Sequence, residues 1–591
     1  MNIQECDILN AIVSKPYENQ RILSQTSGHS LGIVNRSVKS LIDTGYLHTD
    51  MTPTGKAIQE ISVKSPKTAI ILAAGFGMRM VPINTETPKG LLEIHGEPLI
   101  ERLIKQLHEV GVSNIYVIVG FMKEQYEYLI DLYGVRLIVN TEYATKNNLH
   151  SIKLAAKYLG NSYIIPCDIW CAENPFNQYE LYSWYMVSNH LSNDSSVRVN
   201  RKMELVTVTG SGEGNTMLGI TYLVKEDAAY VNERIKQLTS DQRYDGAFWE
   251  ESLYAKNKMI IPAKLVPADA AVEINTYEQL RELDGNSNQL KSDAIETAAK
   301  ALNTTPGAIT RITVLKKGMT NRSFLFNCND HKYIMRIPGE GTDKLINRQQ
   351  EANVYEKINN KHICDNIVYI NPENGYKITE FIEGTRVCNP LNIMDVKKCM
   401  SKLRSFHEMN IQVDHEFDLF RQIDFYESLW DGNKSIYKDY CQTKAHVMSL
   451  KPFIDSQPQK RGLTHIDAVP DNFLFSTDSD QQETIWLIDW EYAGMQDPHV
   501  DIAMFCIYSF YDKTQIDQTI QFYFENNCPD STRIKIYCYI AVCGLLWSNW
   551  CEYKRSLGVD FGEYSLRQYR YAKDYYKIVQ TELSKKELRQ Q

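Results

Sequence analysis

At 591 residues the chain is too long for one hydrophobic core, which predicts three or four domains. Its 43% hydrophobic and 23% charged residues are those of ordinary globular protein, and a net charge of −9 argues against bulk electrostatic binding to nucleic acid or an anionic membrane. The start lacks a signal sequence, no uninterrupted apolar stretch approaches a membrane span, and the 13 cysteines form no paired C-x-x-C clusters, so a cytoplasmic protein with reduced thiols and no zinc is expected.

Residues 1–66 read as a small helical unit. Ile8, Leu9, Ile12 and Val13 mark one helix; Gly28-His29-Ser30-Leu31-Gly32 opens another through Val34, Val38, Leu41 and Ile42. Gly45 stops it, and residues 51–56 follow as a wing-like turn. The segment resembles a winged helix-turn-helix of the multiple-antibiotic-resistance-regulator type. Six Lys/Arg (Lys15, Arg21, Arg36, Lys39, Lys56, Lys64) balance six acids (Glu5, Asp7, Glu18, Asp43, Asp50, Glu60). DNA-binding modules concentrate positive charge, so a structural or dimerisation appendage is expected, with DNA binding the alternative.

From Thr68 strands alternate with helices, which predicts a parallel α/β sheet over residues 67–285. The first strand runs into Leu72-Ala73-Ala74-Gly75-Phe76-Gly77-Met78-Arg79. Glycines there let backbone N–H groups approach a triphosphate, which Arg79 can neutralise. Pro88-Lys89 follows, and two later strands, Tyr163 to Asp168 and Val272 to Thr276, end in polar groups. The polar run 285–289 reads as a linker.

These motifs resemble the sugar-nucleotidyltransferase superfamily, and within it the bacterial CTP:phosphocholine cytidylyltransferases. The resemblance implies a Rossmann-like domain in which Leu72, Ala73, Ala74, Gly75, Gly77, Arg79 and Lys89 bind the nucleotide. It also implies catalysis by Arg79 and Lys89, and Mg²⁺ held by Asp168 and Asn275. Met78 replaces the family's Ser or Thr, and Asn275 stands where Asp is common. Asn147 and Asn148 either shape the acceptor pocket or cap a helix. Trp170, Trp184, Trp249 and Glu250 are either a cage for a quaternary amine or core residues.

Residues 286–591 carry a second chemistry. His465-Ile466-Asp467 with Asn472 reads H-x-D-x-x-x-x-N, and Trp486-Leu487-Ile488-Asp489 is a strand ending in an acid. Phosphoryl transfer needs those groups in that order: Asp467 as the base for the attacking hydroxyl, Asn472 and Asp489 to hold Mg²⁺ on ATP. Upstream, the Gly318 to Phe326 strand-turn-strand, with Asn321, sits where a phosphate-covering loop belongs. Arg336 stands where protein kinases put their strand Lys, Glu351 is its expected ion-pair partner, and residues 380–384 read as a hinge. These residues resemble the choline/ethanolamine kinases and related aminoglycoside phosphotransferases, which implies a protein-kinase-like two-lobed domain. The runs G-M-T-N, Y-I-M-R-I-P-G and L-I-D-W-E-Y-A-G favour the choline branch.

Choline is a quaternary ammonium with no donors, so aromatic faces and carboxylates must hold it. Trp547 and Trp550, three apart on a helix, are the candidates, and the choline-kinase resemblance implies Tyr492 beside them; plain packing of the Trp pair is the alternative. Asp501 either supplies a carboxylate or braces the catalytic loop. Together the motifs predict a multidomain α/β and α+β chain: residues 1–66, 67–285 and 286–591. It would make phosphocholine from choline and ATP, then CDP-choline from phosphocholine and CTP, with Mg²⁺ at both sites; the resemblance alone implies bacterial surface glycans as the destination. The alternatives are ethanolamine or another amino alcohol as substrate, or a DNA-binding regulator sensing choline metabolites; a homodimer is left open.

Overall fold

The computed structural model describes all residues except 15, 16, 18, 78, 79, 84–86, 209–211, 288, 289, 316–320, 340, 341, 343, 344, 360, 459, 478–482, 558–560 and 591, and all but four of the remaining side chains, 587–590. It divides into two compact units, residues 1–295 with 312–314, and residues 296–311 with 315–591.

The first unit opens with four helices: α1 (Ile3–Ser14), α2 (Gln20–Ser27), α3 (Leu31–Asp43) and α4 (Gly55–Lys64). Asn19 caps α2 by accepting from the N–H groups of Arg21 and Ile22. Ile8, Leu9, Leu23, Val34 and Leu41 close a small core that Leu181, from beyond the helical segment, also enters. Of residues 51–56, expected as a wing-like turn, 51–54 lie in a turn in which Thr54 N–H donates to the Tyr46 carbonyl at 3.0 Å, and Gly55 and Lys56 begin α4. Thr54 caps that helix by accepting from Ala57 N–H at 3.3 Å, and Leu47 and Pro53 make a single β-bridge. Hydrogen bonds pin the helical segment to the remainder of the unit, among them Tyr182 Oη donating to Asp7 at 2.7 Å and Asn161 Nδ2 donating to the Val63 carbonyl at 2.6 Å.

The rest of this unit is a large twisted sheet. Its strands are β1 (Thr68–Ala73), β2 (Asn114–Val119), β3 (Arg136–Val139), β4 (Ser162–Pro166), β6 (Trp184–Ser192), β7 (Val197–Val199), β8 (Glu204–Thr207), β9 (Gly214–Leu223) and β11 (Lys258–Val266), with β10 (Tyr254–Ala255) paired on β11. Their order is β3-β2-β1-β4-β9-β6-β11-β8-β7. The β3-β2-β1-β4 half is parallel as expected, but β9 runs antiparallel to both β4 and β6. The sheet is therefore mixed. Between β6 and β9 the chain forms β7 and β8 rather than the crossover helix that a parallel pair requires. β1 is buried on both faces: Ala69, Ile71 and Ala73 join one core, Ile70 and Ala74 the other.

A separate two-stranded ribbon pairs β5 (Ile169–Cys171) with β12 (Ala271–Glu273), and helix α5 (Asn148–Leu154) borders the nucleotide loop's cleft. Residues 285–287, expected in a linker, are instead fastened to this unit. Ser287 Oγ donates to the Glu93 carbonyl at 3.0 Å, and the preceding Asp284 accepts from His95 N–H at 2.7 Å. Asn288 and Gln289 lie outside the described residues.

In the second unit, strands β13 (Asn321–Cys328), β14 (His331–Pro338), β16 (Lys377–Glu380) and β15 (Ile367–Ile370) lie side by side and antiparallel, with α6 (Arg348–Ile358) following β14. Beyond residues 380–384 the chain turns helical. α7 (Ile393–Glu408), α8 (Leu419–Ser428), α9 (His499–Tyr508), α10 (Asp530–Ser556) and α11 (Glu563–Gln590) surround the short pairs β17 (Gly462–Thr464)/β20 (Gly494–Gln496) and β18 (Phe473–Thr477)/β19 (Glu483–Leu487). α10 is long and apolar enough to cross a membrane by length and composition, which corrects the expectation that no stretch approaches a span. That apolar stretch is wholly buried inside this unit, as a core helix would be. Gly544 is where α11 comes closest, since a Cβ there would lie 2.7 Å from the Gln568 carbonyl oxygen.

Candidate active sites

In the first unit the β5–β12 ribbon builds the site. Glu273 pairs with Ile169, and Ile274 N–H donates to the Asp168 carbonyl at 2.8 Å. This brings Asp168 and Asn275, far apart in sequence, to one point. Thr276 and Gln279 form a capping box, and Gln279 Oε1 accepts from Asn275 N–H at 2.8 Å, which fixes the Asn275 backbone. Lys89 Nζ lies between the two predicted metal ligands, 2.8 Å from Asp168 Oδ2 and 2.8 Å from Asn275 Oδ1. Gly77 has φ +63°, and a Cβ there would sit 2.8 Å from Lys89 Cγ, so glycine is needed for both backbone and space.

A cleft of about 490 Å³ is lined by Leu72, Ala74, Gly75, Gly77, Lys89 and Asp168, with Asn147 and Asn148 on its far wall. Ala73 faces the core instead and is 2% exposed, because successive strand residues alternate faces. Arg79 and Met78 lie outside the described residues. Asn147 both caps α5 and lines the cleft, so its two readings are compatible.

A second chamber of about 600 Å³ adjoins the first, sharing Asn148, Gly219, Phe248, Glu250, Glu273 and Asn275. Its described lining includes Asp194, Glu250, Glu251 and Glu273, the rings of Tyr185, Phe248 and Tyr254, and neither Lys nor Arg. Burial pushes Glu250 up to about 7, and its Oε1 accepts from Tyr185 Oη at 3.1 Å. Of the suggested cage residues, Trp184 is core, and Trp170 lies beside Arg102 and His95. Trp249 borders the first cavity, while Glu250 reaches both. Sequence reasoning missed Tyr185, Phe248, Tyr254 and Glu273; the run Phe248-Trp249-Glu250-Glu251 was the available signal.

In the second unit Asp501, on α9, braces the catalytic loop. Its carboxylate accepts from His465 N–H at 3.0 Å and Ile466 N–H at 2.8 Å, and lies 2.9 Å from His407 Nε2. Ile466 and Asp489 both have φ +69°, a left-handed conformation that costs a non-glycine residue about 1–3 kcal/mol and that the surrounding bonds must enforce. Asn472 Nδ2 donates to the Asp467 carbonyl at 2.8 Å and to its Oδ2 at 3.2 Å.

Asp467 and Asp489 are only partly covered, yet surrounding protein desolvates both. Desolvation, then the charges of Asp489 and Glu491, push Asp467 up to about 8; Glu491 rises to about 7. Asp489 is raised by burial against the opposing pull of Lys377 and Arg336. Asn472 and Asp489 offer an amide and a carboxylate oxygen to a hard divalent cation, although among the described residues no three His, Cys, Asp or Glu side chains group to hold a metal.

Arg336 pairs with Glu351, as expected, through both terminal nitrogens, one at 2.9 Å, and also donates to the Gly375 carbonyl. Burial opposes ionisation of Glu351, but Arg336, Lys377 and Arg348 hold it down to about 2. Arg348 and Glu491 extend this network and were missed: Arg348 Nη1 is 3.1 Å from Glu351 and 3.4 Å from Glu491, and Asn321 Nδ2 donates to Glu491 at 2.9 Å. Residues 318–320, where a phosphate-covering turn was expected, lie outside the described residues. Tyr492, Trp547 and Trp550 meet edge to face, with centroids 5.4 and 5.5 Å apart. They are at most 6% exposed and belong to the core, so the structure unites them but also packs them.

Known proteins carry both patterns. Residues 69–179 match the MobA-like NTP transferase domain, and residues 312–541 match the choline/ethanolamine kinase family. A choline-phosphate cytidylyltransferase of Streptococcus pneumoniae is 47% identical over 108 residues, 18% of this chain but only 47% of that protein. One from Haemophilus influenzae is 32% identical over 178 residues, covering 30% of this chain and 76% of the relative. A 2-aminoethylphosphonate cytidylyltransferase of Lancefieldella rimae is 31% identical over 225 residues, covering 36% and 87%. The chain belongs to the cytidylyltransferase family. It is a bifunctional enzyme, since a kinase domain of the choline/ethanolamine type comes after the cytidylyltransferase domain.

Proposed function

We propose that the kinase domain phosphorylates choline with ATP and that the cytidylyltransferase domain joins the resulting phosphocholine to CMP from CTP, releasing pyrophosphate. The observation that carries this reading is the second chamber of the cytidylyltransferase, whose described lining has acids and aromatic rings and no Lys or Arg. Such walls disfavour an anionic group and suit a cationic head group. The acceptor's phosphate then points toward Lys89, at the end shared with the nucleotide cleft.

In the kinase, Asp467 takes the proton of the attacking hydroxyl, while the Asp501 brace keeps its loop in position. In the cytidylyltransferase, the Gly75–Gly77 backbone and Lys89 receive the triphosphate, and the phosphomonoester attacks the α-phosphorus in line with departing pyrophosphate. A divalent cation, Mg²⁺ by the hardness of the donors, would be held by Asn472 and Asp489 in one domain and Asp168 and Asn275 in the other, where it supplies charge neutralisation on the phosphates. In this reading the reactions run in the cytoplasm and feed surface-glycan decoration. Residues 1–66 serve as an appendage, supported by their neutral charge and their bonds through Asp7 and Val63.

A second reading has a specific warrant. A primary ammonium also fits Glu250 and Glu273, and one relative bears the name of a 2-aminoethylphosphonate enzyme. Product analysis with ATP, CTP, Mg²⁺ and either choline or ethanolamine, omitting one component at a time, decides between them. CDP-choline is expected from the complete mixture, and phosphocholine alone when CTP is left out. Preferential turnover of ethanolamine overturns the choline assignment.

A further inference from the structure

Lys89 occupies a place that two other groups define. Asp168 Oδ2 and Asn275 Oδ1 converge on one point from separate strand ends, and the Lys89 ammonium sits there with both contacts at 2.8 Å. The side chains of Lys89 and Asp168 are only 12% and 13% exposed, so the pair is largely shut off from water. One carboxylate and one amide oxygen meeting at a point are also two oxygen donors of the kind a divalent cation takes, with phosphate and water to complete its shell, and a dication cannot share that point with an ammonium group.

The lysine's position also shows where it can go. Its aliphatic stem lies against Gly77, with Cγ, Cδ and Cε all within 3.2 Å of where a Cβ would be. The backbone of Lys89 starts a short 3-10 turn after Pro88, so the ammonium moves by side-chain torsions alone. Turning away from Asp168 carries it along the cleft wall formed by Gly75 and Gly77, where the phosphates of a nucleotide are expected.

We propose that Lys89 is the resident cation of this site and exchanges places with the divalent cation. In the nucleotide-free protein its ammonium holds Asp168 and Asn275 together and keeps free metal out. When a metal–nucleotide complex arrives, the ammonium transfers to the phosphates and the two oxygens take the metal. Lys89 thereby imposes joint entry of metal and nucleotide and spares the empty site from an unpaired buried carboxylate. This rests on the reading of Asp168 and Asn275 as metal ligands.

The test measures Mn²⁺ binding by the full chain, through the electron paramagnetic resonance signal of free Mn²⁺. An Asp489→Asn background silences the kinase pair. Without nucleotide, Lys89→Met is expected to bind Mn²⁺ at least tenfold more tightly than its parent, and adding CTP should narrow that difference. Lys89→Gln, which keeps a neutral polar group, should behave likewise and serves if Lys89→Met does not fold. Adding Asp168→Asn to either variant should abolish the gained binding. Equal Mn²⁺ affinity with and without Lys89 overturns the exchange, provided Asp168→Asn still removes CTP-dependent binding. If Asp168→Asn changes no Mn²⁺ binding at all, the metal-ligand reading itself fails.

Discussion

Asp467 can accept a proton only when ionised, and its environment resists that. With its pKa pushed up to about 8 by desolvation and by Asp489 and Glu491, the free kinase holds a proton there at neutral pH. Phosphocholine formation measured as kcat/KM is therefore expected to rise with pH through that region. Higher Mg²⁺ should move the rise to lower pH, because a cation among the carboxylates favours the charged form. A profile flat between pH 6 and 9 at low Mg²⁺ would count against Asp467 as the base. Asp467→Asn should lower the kinase rate by roughly 10²–10⁴ while CDP-choline synthesis from supplied phosphocholine continues. Asp168→Asn should do the converse. Parallel loss of both activities in a folded variant would disprove separate sites.

At the scale of elements, the β14–α6 junction depends on its ion pairs. Glu351 is almost fully buried, and its removal leaves Arg336 and Arg348 with only their longer ionic contacts to Glu491, at 3.8 and 3.4 Å. Glu351→Gln is expected to cost the kinase unit roughly 3–5 kcal/mol, read from the shift of its urea midpoint. The sign with pH comes from the depressed pKa. Below the ordinary glutamate range the unfolded chain binds a proton that folded Glu351 refuses, so this stability is present above about pH 4.5 and drains away toward pH 2. Gly544→Val should cost about 1–3 kcal/mol by thrusting a side chain into the α11 backbone.

What could be seen beforehand at this scale was whatever chemistry forces into local spacing. The glycine loop after β1, Lys89, the Asp467–Asn472 pair and Asp489 each sit at a strand end or in a short turn. Arg336 and Glu351 were readable because each lies on its own predicted element. Strand direction was not readable: an apolar run such as β9 looks the same whether its neighbours run with it or against it. Glu491 and Tyr185 were missed because they act through partners remote in sequence, whereas Arg348 had a local signal, three residues before Glu351 on the same helix. Residues 285–287 misled by polarity, since Ser287 and its neighbour Asp284 spend their polar groups on the first unit.

Across the whole molecule, the helical segment 1–66 shares its core with Leu181 and its hydrogen bonds with Tyr182 and Asn161. Deleting it should uncover that face, lowering solubility and melting temperature of the cytidylyltransferase while leaving KM for CTP within about twofold, as effects on distant sites usually are small. A gel shift by the isolated segment on the DNA upstream of its own coding sequence, specific and salt-sensitive, would overturn the appendage reading. The buried helix α10 carries a different kind of consequence, one of timing. On the ribosome its 27 residues emerge as a nascent stretch that hydropathy alone cannot tell from a membrane anchor. α11, which shelters it at Gly544, is synthesised afterwards. For those seconds only earlier helices such as α8 and α9 are there to shelter it, and a message broken after Ser556 would release that helix with its α11 face uncovered.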